Sequence, residues 1–450
     1  MIASINPYSG EKTKEYAPIS TKEISEKIII ADKAFLLWKK TSFEERKKLM
    51  LNLADELLSH KEEHSKLITL EMGKLFIESS LEIEKCARMC KYYAENAEKF
   101  LADEIMETEA EKSYISYEPI GVVLSIMPWN FPYWQVLRFA VPALMAGNVC
   151  LLKHASNVPQ CALMIEELFI AAGFPPTVFQ TLLIDASEVE SIIANPIVKA
   201  VTITGSEKAG SHVASVAGKH IKKSVLELGG SDPFIVFDNA NIKVAVTNAV
   251  KSRLGNDGQS CIAAKRFIVS EKVIDEFTQQ LKEKFQQLKK GNPFDKETQI
   301  GVMAREDLAI ELEKQMNKSI ALGAKLICGG KRDKAFFEPT ILTNVKPGMP
   351  AFDEELFGPV APIIPFSTEE EAIELANNSS FGLGGSIWIG DKLMGIKIAK
   401  QIESGSVYIN TLMKSDQRLP FGGTKKSGFG RELGRHGIHE FVNVKSVMVN

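Results

Sequence analysis

The feature that most constrains the fold is a regular alternation of strand and helix patterns in the middle of the chain. Short apolar runs typical of buried strands, at residues 149–153, 178–183 and 200–204, are separated by helical patterns at 159–172 and 187–194. Strands that are joined through helices lie parallel in one sheet, because a parallel connection needs a crossover of a dozen or more residues. This region therefore predicts a doubly wound parallel sheet.

A second alternation of the same kind begins after Glu227. Its predicted elements are strands at 233–237 and 267–270 and helices at 242–254, 273–289 and 305–322. The first hundred residues instead show apolar residues mostly at helical spacing, and residues 440–449 alternate like an edge strand. We therefore expect two α/β domains, with Glu227 near their junction.

Composition favours an enzyme that acts on a small molecule. A chain of 450 residues with 45% hydrophobic content can bury more than one core. The 54 Lys and Arg nearly balance the 57 Asp and Glu, with no long block of either sign, so no footprint for nucleic acid or a membrane surface is evident. The first residues lack a secretory pattern, and no apolar run is long enough to cross a bilayer. We expect a cytoplasmic protein.

The six cysteines are too sparse for a disulfide framework. Cys86 and Cys90 have no second pair with which to bind zinc, so we expect them to pack on a helix and predict no metal site. Cys150 and Cys161 fall on apolar elements and are expected to be buried and inert.

Cys261 is different, because Gly258, Gln259 and Ser260 precede it in a predicted loop. A thiol in a polar, glycine-containing loop is placed to meet a ligand. Cys261 is therefore predicted to be a nucleophile.

Glu227 ends the apolar run 225–228, where a carboxylate is costly to bury unless it is used. A general base is the favoured interpretation. An ion pair with Lys222 or Lys223 is the main alternative.

Five segments along the chain carry a resemblance to a known family. They are Pro128-Trp129-Asn130-Phe131-Pro132, Glu227-Leu228-Gly229-Gly230, Gly258-Gln259-Ser260-Cys261, Glu355-Leu356-Phe357-Gly358-Pro359 and Pro420-Phe421-Gly422-Gly423. In this order they resemble the aldehyde dehydrogenase superfamily, over nearly the whole chain. Residues 133–139 and 153–156, with the short chain, most resemble the short-form succinate semialdehyde dehydrogenases.

The resemblance implies oxidation of an aldehyde to a carboxylic acid, with succinate semialdehyde as the expected substrate. A thiolate at Cys261 would form a thiohemiacetal that can release a hydride and leave a thioester. Glu227 would act as base for hydrolysis of that thioester. The resemblance places the Asn130 amide and the Cys261 backbone N–H as donors to the oxyanion. From the residues alone, a turn residue is the favoured interpretation of Asn130.

The cofactor is expected to be NADP or NAD, although the usual Gly-x-Gly-x-x-Gly fingerprint is absent. Its place is taken by the segment after the strand at 200–204, with Gly205, Ser206 and Gly210, which could also be a simple helix cap. The resemblance implies that the other cofactor contacts come from Trp129, Lys153, Ser156, Leu228, Glu355 and Phe357. Relatives committed to NAD commonly carry an acidic residue at the place of Ser156, so we predict that NADP is accepted, with Lys153 as its counter-charge.

For the substrate, the resemblance assigns a carboxylate-binding role to Arg138, inside an apolar helical stretch. From its residue type alone, Arg138 could equally lie on a solvated face. Gly255 stands where long-form relatives carry a second arginine, so help is expected from Ser415 and Arg418. Specificity is accordingly expected to be looser than in the long forms, which keeps a broader aliphatic aldehyde dehydrogenase open.

Two function classes without aldehyde oxidation are alternatives. A cysteine hydrolase or acyltransferase needs a histidine partner, and none of the seven histidines lies in a recognisable nucleophile context. A non-catalytic relative is disfavoured because thiol, carboxylate and amide are all present. CoA-acylating members of the superfamily usually lack the carboxylate at Glu227, so hydrolysis is expected.

The architecture implied by the resemblance is aldehyde dehydrogenase-like, with two doubly wound Rossmann-type domains plus a small oligomerisation β-sheet. The expected divisions are a cofactor domain at 1–226, interrupted by a hairpin at 106–118, a catalytic domain at 227–434 and a C-terminal strand region at 435–450. Exposed strand edges favour pairing across a two-fold axis. A homodimer or homotetramer is expected.

Overall fold

The computed structural model describes residues 1–450 as an α/β protein with three main sheets. The helices are α1 (Thr21–Trp38), α2 (Phe43–Ser59), α3 (Lys61–Met72), α4 (Phe76–Phe100), α5 (Trp134–Met145), α6 (Pro159–Ala171), α7 (Val189–Ala194), α8 (Glu207–Lys219), α9 (Ile242–Leu254), α10 (Ile274–Gln286), α11 (Glu306–Ala321), α12 (Pro350–Asp353), α13 (Glu369–Asn377), α14 (Lys392–Ala399) and α15 (Gly434–His439), with 3-10 turns at Ala186–Glu188 and Gly255–Gly258.

The strands are β1 (Ile2–Ile5), β2 (Lys12–Tyr16), β3 (Glu104–Met106), β4 (Lys112–Pro119), β5 (Val122–Met127), β6 (Val149–His154), β7 (Phe179–Thr181), β8 (Val198–Thr204), β9 (Lys223–Glu227), β10 (Asp232–Val236), β11 (Ala264–Ser270), β12 (Lys325–Cys328), β13 (Arg332–Asp333), β14 (Phe336–Phe337), β15 (Thr340–Thr343), β16 (Val360–Phe366), β17 (Phe381–Gly382), β18 (Gly384–Trp388), β19 (Ser406–Ile409), β20 (Thr424–Lys425), β21 (Gly428–Phe429) and β22 (Val442–Val449).

The first main sheet has the order β21-β9-β8-β5-β6-β7, in which all neighbours except β21 and β9 run parallel. The chain thus starts at the centre with β5, builds outward through β6 and β7, and then returns to place β8 on the other side of β5. Strand order reverses between β5 and β8, which is where α/β sheets open a ligand crevice. The predicted doubly wound fold is confirmed.

The second main sheet has the order β12-β15-β16-β11-β10-β18-β19, with only β12 antiparallel to its neighbour. Its strand β11 begins three residues before the predicted start, and α10 ends three residues before the predicted end at 289. The sequence prediction placed the start of β11 too late, because Lys265 and Arg266 are charged and look like loop residues in the sequence.

The third sheet is formed by β3, β4 and β22. β22 pairs antiparallel with β4 along its whole length, from Val442 opposite Pro119 to Val449 opposite Lys112. The C-terminal segment therefore joins the predicted hairpin. Before it reaches β22, the chain returns to the first main sheet, where β21 pairs with β9. The precise domain divisions stay a prediction.

Helix α5 is buried on every side, from Trp134 to Met145, between the first main sheet and the N-terminal helices. A helix that is apolar all round can only be stable in such a place. One of the helices that cover it, α2, begins at Ser42, whose hydroxyl accepts from the Glu45 backbone N–H in the predicted capping box. Cys86 and Cys90, on α4, are buried as expected.

None of the helices combines the length and apolar character needed to cross a membrane.

Candidate active site

The candidate site lies where the two main sheets face each other. The first sheet contributes the carboxyl ends of β5, β8 and β9, and the second contributes the loops that lead into β10, β11 and β16. Between them is a cavity of about 260 Å³. Its lining brings together eight of the predicted site residues: Trp129, Asn130, Gly205, Ser206, Leu228, Cys261, Glu355 and Phe357.

Cys261 lies at the boundary of two cavities. It lines the first cavity itself, and its neighbours Ser260 and Ile262 line a second cavity of about 210 Å³ on the other side of the loop. Gly255 lines this second cavity too.

The loop before Cys261 is held by an unusual backbone conformation. Asn256 and Asp257 have φ values of 54° and 52°, and residues with side chains rarely adopt that region. Each has a buried partner that fixes it: the Asn256 amide donates to the Asn130 carbonyl at 2.8 Å, and Asp257 accepts from the Gly301 backbone N–H at 2.7 Å. Gly258 is required because a Cβ there would meet the Gly358 carbonyl carbon at 2.4 Å.

Two buried cations that the sequence analysis missed secure the same loop. Arg253 donates to the carbonyls of Gly258 and Ala264, at 2.7 and 2.9 Å. Lys265 donates to the carbonyls of Ser260 and Cys261, both at 2.7 Å. Both side chains are at most 1% exposed. Arg253 lies in the last turn of a predicted helix and Lys265 precedes a predicted strand, so neither position carried a local signal of a buried charge in the sequence.

The environment of Cys261 determines its reactivity. Burial raises the pKa of its thiol to about 12, while the nearby charges of Lys265 and Arg138 act in the opposite direction. The thiol is therefore protonated at neutral pH, and a nucleophilic thiolate has to be generated by a base.

Glu227 ends β9 and is almost completely buried, with no hydrogen bond to either carboxylate oxygen. Burial, with the negative charge of Glu432, raises its pKa well above the usual range, against the opposing charge of Arg138. The alternative of an ion pair with a neighbouring lysine is wrong: Lys222 donates to backbone carbonyls, and Lys223 pairs with Glu440. An unpaired buried carboxylate with a raised pKa has the character of a general base.

Asn130 is fixed in place by three hydrogen bonds. Its amide nitrogen donates to the Gln259 carbonyl at 3.0 Å, its amide oxygen accepts from Gln135 at 3.0 Å, and its own carbonyl accepts from Asn256. A side-chain amide carries two N–H hydrogens, so one remains for a further acceptor. The contact with Gln259 links Asn130 to the Cys261 loop, two residues before the thiol.

The connection from β8 to α8 forms one wall of the first cavity. Ser206 caps α8, its hydroxyl accepting from the Ala209 backbone N–H at 3.3 Å. A Cβ at Gly210 would meet the Leu228 side chain at 2.3 Å, so glycine lets Leu228 pack against the helix. The 13-residue helix thus presents its N-terminus to the crevice at the switch point of the sheet.

Of the remaining predicted cofactor residues, Glu355 and Phe357 line the first cavity, whereas Lys153 and Ser156 lie at the carboxyl end of β6, outside its lining. Glu355 accepts from the Gly230 backbone N–H at 3.1 Å and pairs with Lys265 at 3.2 Å. The ring of Phe357 packs edge-on against Trp129, with centroids 5.8 Å apart. Lys153, near the end of β6, is half-buried, and burial lowers its pKa. Ser156 is exposed two residues beyond β6.

The three predicted substrate residues do not lie together as free groups. Arg138 is buried, forms an ion pair with Glu432 and donates to Thr204 at 3.3 Å. The solvated-face alternative for Arg138 is therefore wrong. The exposed Arg418 is held by Asp416 through two hydrogen bonds of 2.8 and 2.7 Å. Ser415 is buried and accepts a hydrogen bond of 2.6 Å from Lys85, a residue the sequence analysis did not consider.

Comparison with known proteins gives matches over the full length. Residues 1–447 match the Aldehyde dehydrogenase family. A probable NADP(+) succinate-semialdehyde dehydrogenase of Synechocystis is 49% identical and covers 100% of this chain and 99% of its own. NADP(+) succinate-semialdehyde dehydrogenase 1 of Mycobacterium tuberculosis is 46% identical, with the same coverage.

A solved structure of similar fold is that of succinic semialdehyde dehydrogenase from Streptococcus pyogenes in complex with NADP+. It is 36% identical, with a TM-score of 0.98 and 100% coverage of both chains. The family match, the relatives and the fold agree with the five motifs of the sequence. The chain belongs to the aldehyde dehydrogenase family.

Proposed function

We propose that this protein oxidises succinate semialdehyde to succinate with NADP as the preferred cofactor. The observation that carries the proposal is the meeting of Cys261 and Asn130 in one cavity, with the unpaired carboxylate of Glu227 at the end of the adjoining strand. The substrate is supported by the names of the relatives at 46–49% identity.

The chain's own groups account for each part of the chemistry. The Cys261 thiol passes its proton to solvent water and its sulfur bonds to the aldehyde carbon, giving a tetrahedral thiohemiacetal whose oxyanion accepts from Asn130 and the Cys261 backbone N–H. When bound, the oxidised nicotinamide supplies the acceptor for the hydride, and a thioester remains on Cys261. Glu227 takes a proton from water, the hydroxide displaces sulfur, and the acid leaves.

The cavity and its surroundings fit a phosphorylated dinucleotide. The N-terminus of α8 and the close packing at Gly210 leave room for a pyrophosphate against backbone N–H groups. Glu355 would hold a ribose, and Trp129 and Phe357 would flank the nicotinamide. Lys153 makes no ion pair and Ser156 presents no negative charge, so this end of the site favours a 2′-phosphate.

The proposed assembly is a homodimer or homotetramer built through the third sheet. The support is a set of exposed apolar side chains on its strands, namely Ile105, Met106, Val444, Met448 and Val449. Such a patch on an open sheet edge is suited to pairing with another copy of the chain.

A cysteine hydrolase is less well supported. No histidine lines the cavity at Cys261, and His154, at the end of β6, is buried with its ring nitrogens facing the carbonyls of Met127 and Pro132. The thiol therefore has no imidazole to activate it.

The proposal is tested by mixing the purified enzyme with succinate semialdehyde and NADP+ in the absence of CoA. We expect growth of the reduced-nicotinamide absorbance and one succinate for each cofactor reduced. Cys261→Ser should abolish both signals, whereas Cys328→Ser, at the other partly buried cysteine, should leave them unchanged. A dependence on CoA, or full activity in Cys261→Ser, would refute the proposal.

A further inference from the structure

Lys85 is a half-buried cation without an acidic partner. Its ammonium lies on α4 and donates to the Ser415 hydroxyl at 2.6 Å. It also lies 3.8 Å from the centre of the Trp134 ring, and it forms no ion pair. A half-buried ammonium without a carboxylate is unusual, because burial of a charge is costly unless it is paired.

The two arginines expected to bind the substrate carboxylate are already neutralised within the chain. Arg138 pairs with Glu432, and Arg418 pairs with Asp416. Of these three cations, Lys85 alone could engage an incoming anion without first breaking an ion pair.

Two further donors adjoin the Lys85 ammonium. Trp134 is only 3% exposed, and its buried indole N–H has no hydrogen-bond partner. The Ser415 hydroxyl accepts from Lys85, so its own hydrogen remains free to donate. An ammonium, a hydroxyl and an unsatisfied indole N–H together form a set of donors suited to a carboxylate.

The position of this group relates it to the reacting thiol. Trp134 begins α5 one turn after Asn130, the proposed oxyanion donor. Ser415 follows Met413 by two residues, and Met413 lines the second cavity together with Ser260 and Ile262, the neighbours of Cys261. The donors are therefore connected through short chain segments to Asn130 and to the lining of the second cavity.

We propose that Lys85, with Ser415 and Trp134, binds the distal carboxylate of the substrate and selects ω-carboxylated aldehydes over uncharged ones. This proposal rests on the proposed aldehyde oxidation and assigns its specificity. Burial, assisted by the charge of Arg138, lowers the pKa of Lys85 to about 7, and a bound carboxylate would favour the charged form.

The test compares succinate semialdehyde with butanal, which has the same number of carbons and no charge. In Lys85→Met we expect KM for succinate semialdehyde to rise about 10- to 100-fold, the usual effect of losing a charge-assisted hydrogen bond. The kinetics with butanal should change less than twofold. Lys85→Arg should restore most of the preference, and Trp134→Phe, which keeps a ring but removes the indole N–H, should weaken it several-fold.

Lys91→Met is the matched control, because Lys91 lies on the same helix with its side chain 46% exposed. It should leave both substrates unaffected. A preference for succinate semialdehyde that survives in Lys85→Met would overturn the role of Lys85 and leave the proposed function intact. Equal use of both aldehydes by the wild type would instead overturn the proposed substrate, and the Lys85 site with it. If Lys85→Met does not fold, unchanged preference in both Ser415→Ala and Trp134→Phe would overturn the proposal.

Discussion

Replacing Arg138 by Met separates a structural arginine from a substrate-binding one. The side chain of Arg138 is 3% exposed, and its guanidinium pairs with Glu432 and lies 4.7 Å from the centre of the Phe421 ring. Methionine retains much of the apolar volume but leaves Glu432 without its cation, and Glu227 loses the positive charge that opposes the rise of its pKa.

The magnitude follows from the burial of the pair. Removing one partner of a buried ion pair typically costs 3–5 kcal/mol, because the other charge is left uncompensated. Burial already raises the pKa of Glu432 despite the opposing charge of Arg138, so this carboxyl can take up a proton and limit the loss. We expect Arg138→Met to lower the free energy of unfolding by about 3 kcal/mol.

Chemical denaturation of four proteins measures this effect: wild type, Arg138→Met, Glu432→Gln and the double variant. The double variant should be more stable than the sum of the single losses predicts, by about 2 kcal/mol, because neither charge is then left alone. In parallel, kcat/KM of Arg138→Met should fall by the same factor for succinate semialdehyde and for butanal. Unchanged stability together with a loss confined to succinate semialdehyde would refute the reasoning and make Arg138 the carboxylate ligand.

Three further outcomes are expected. Ser156→Glu should shift the ratio of kcat/KM from NADP toward NAD by at least tenfold, because the new carboxylate repels a 2′-phosphate; an unchanged ratio would place that phosphate elsewhere. With butanal as substrate, kcat/KM should rise from pH 6 to pH 9, because Cys261 and Glu227 must both lose protons and burial raises both pKa values; a flat profile from pH 5 to 9 would contradict this. Lys265→Met should lower kcat about 10- to 100-fold by releasing the carbonyls of Ser260 and Cys261, each of which loses a charge-assisted hydrogen bond; a wild-type kcat would show that the loop holds itself.

Elements with strong local patterns were predictable from the sequence. Helix α9 has its predicted bounds, and α6 ends one residue before its predicted end. These segments combine helical spacing of apolar residues with clear start signals, such as the Asn241 cap of α9. By contrast, strands β12, β15, β16, β18 and β19 were not predicted, although they form most of the second sheet. Short buried strands carry little periodicity, and β16 contains two prolines.

Some features of the site were predictable from the sequence and others were not. Motif residues such as Asn130 and Cys261 lie in one cavity, as their common place in a family fold implies. The partners of charged groups could not be predicted, because they come from distant parts of the chain. Arg138 and Glu432 are separated by almost 300 positions, and Lys85 and Ser415 by 330. Only the folded chain shows which cation is already paired and which is free.

Trapping the acylated enzyme tests the central claim most directly. Glu227→Gln removes the proposed base while nearly preserving the shape of a side chain that makes no hydrogen bonds. After reaction with succinate semialdehyde and NADP+, intact-mass analysis of this variant should show one added succinyl group, and peptide mapping should locate it on Cys261. Full turnover without an adduct, or an adduct on any other residue, would contradict the account.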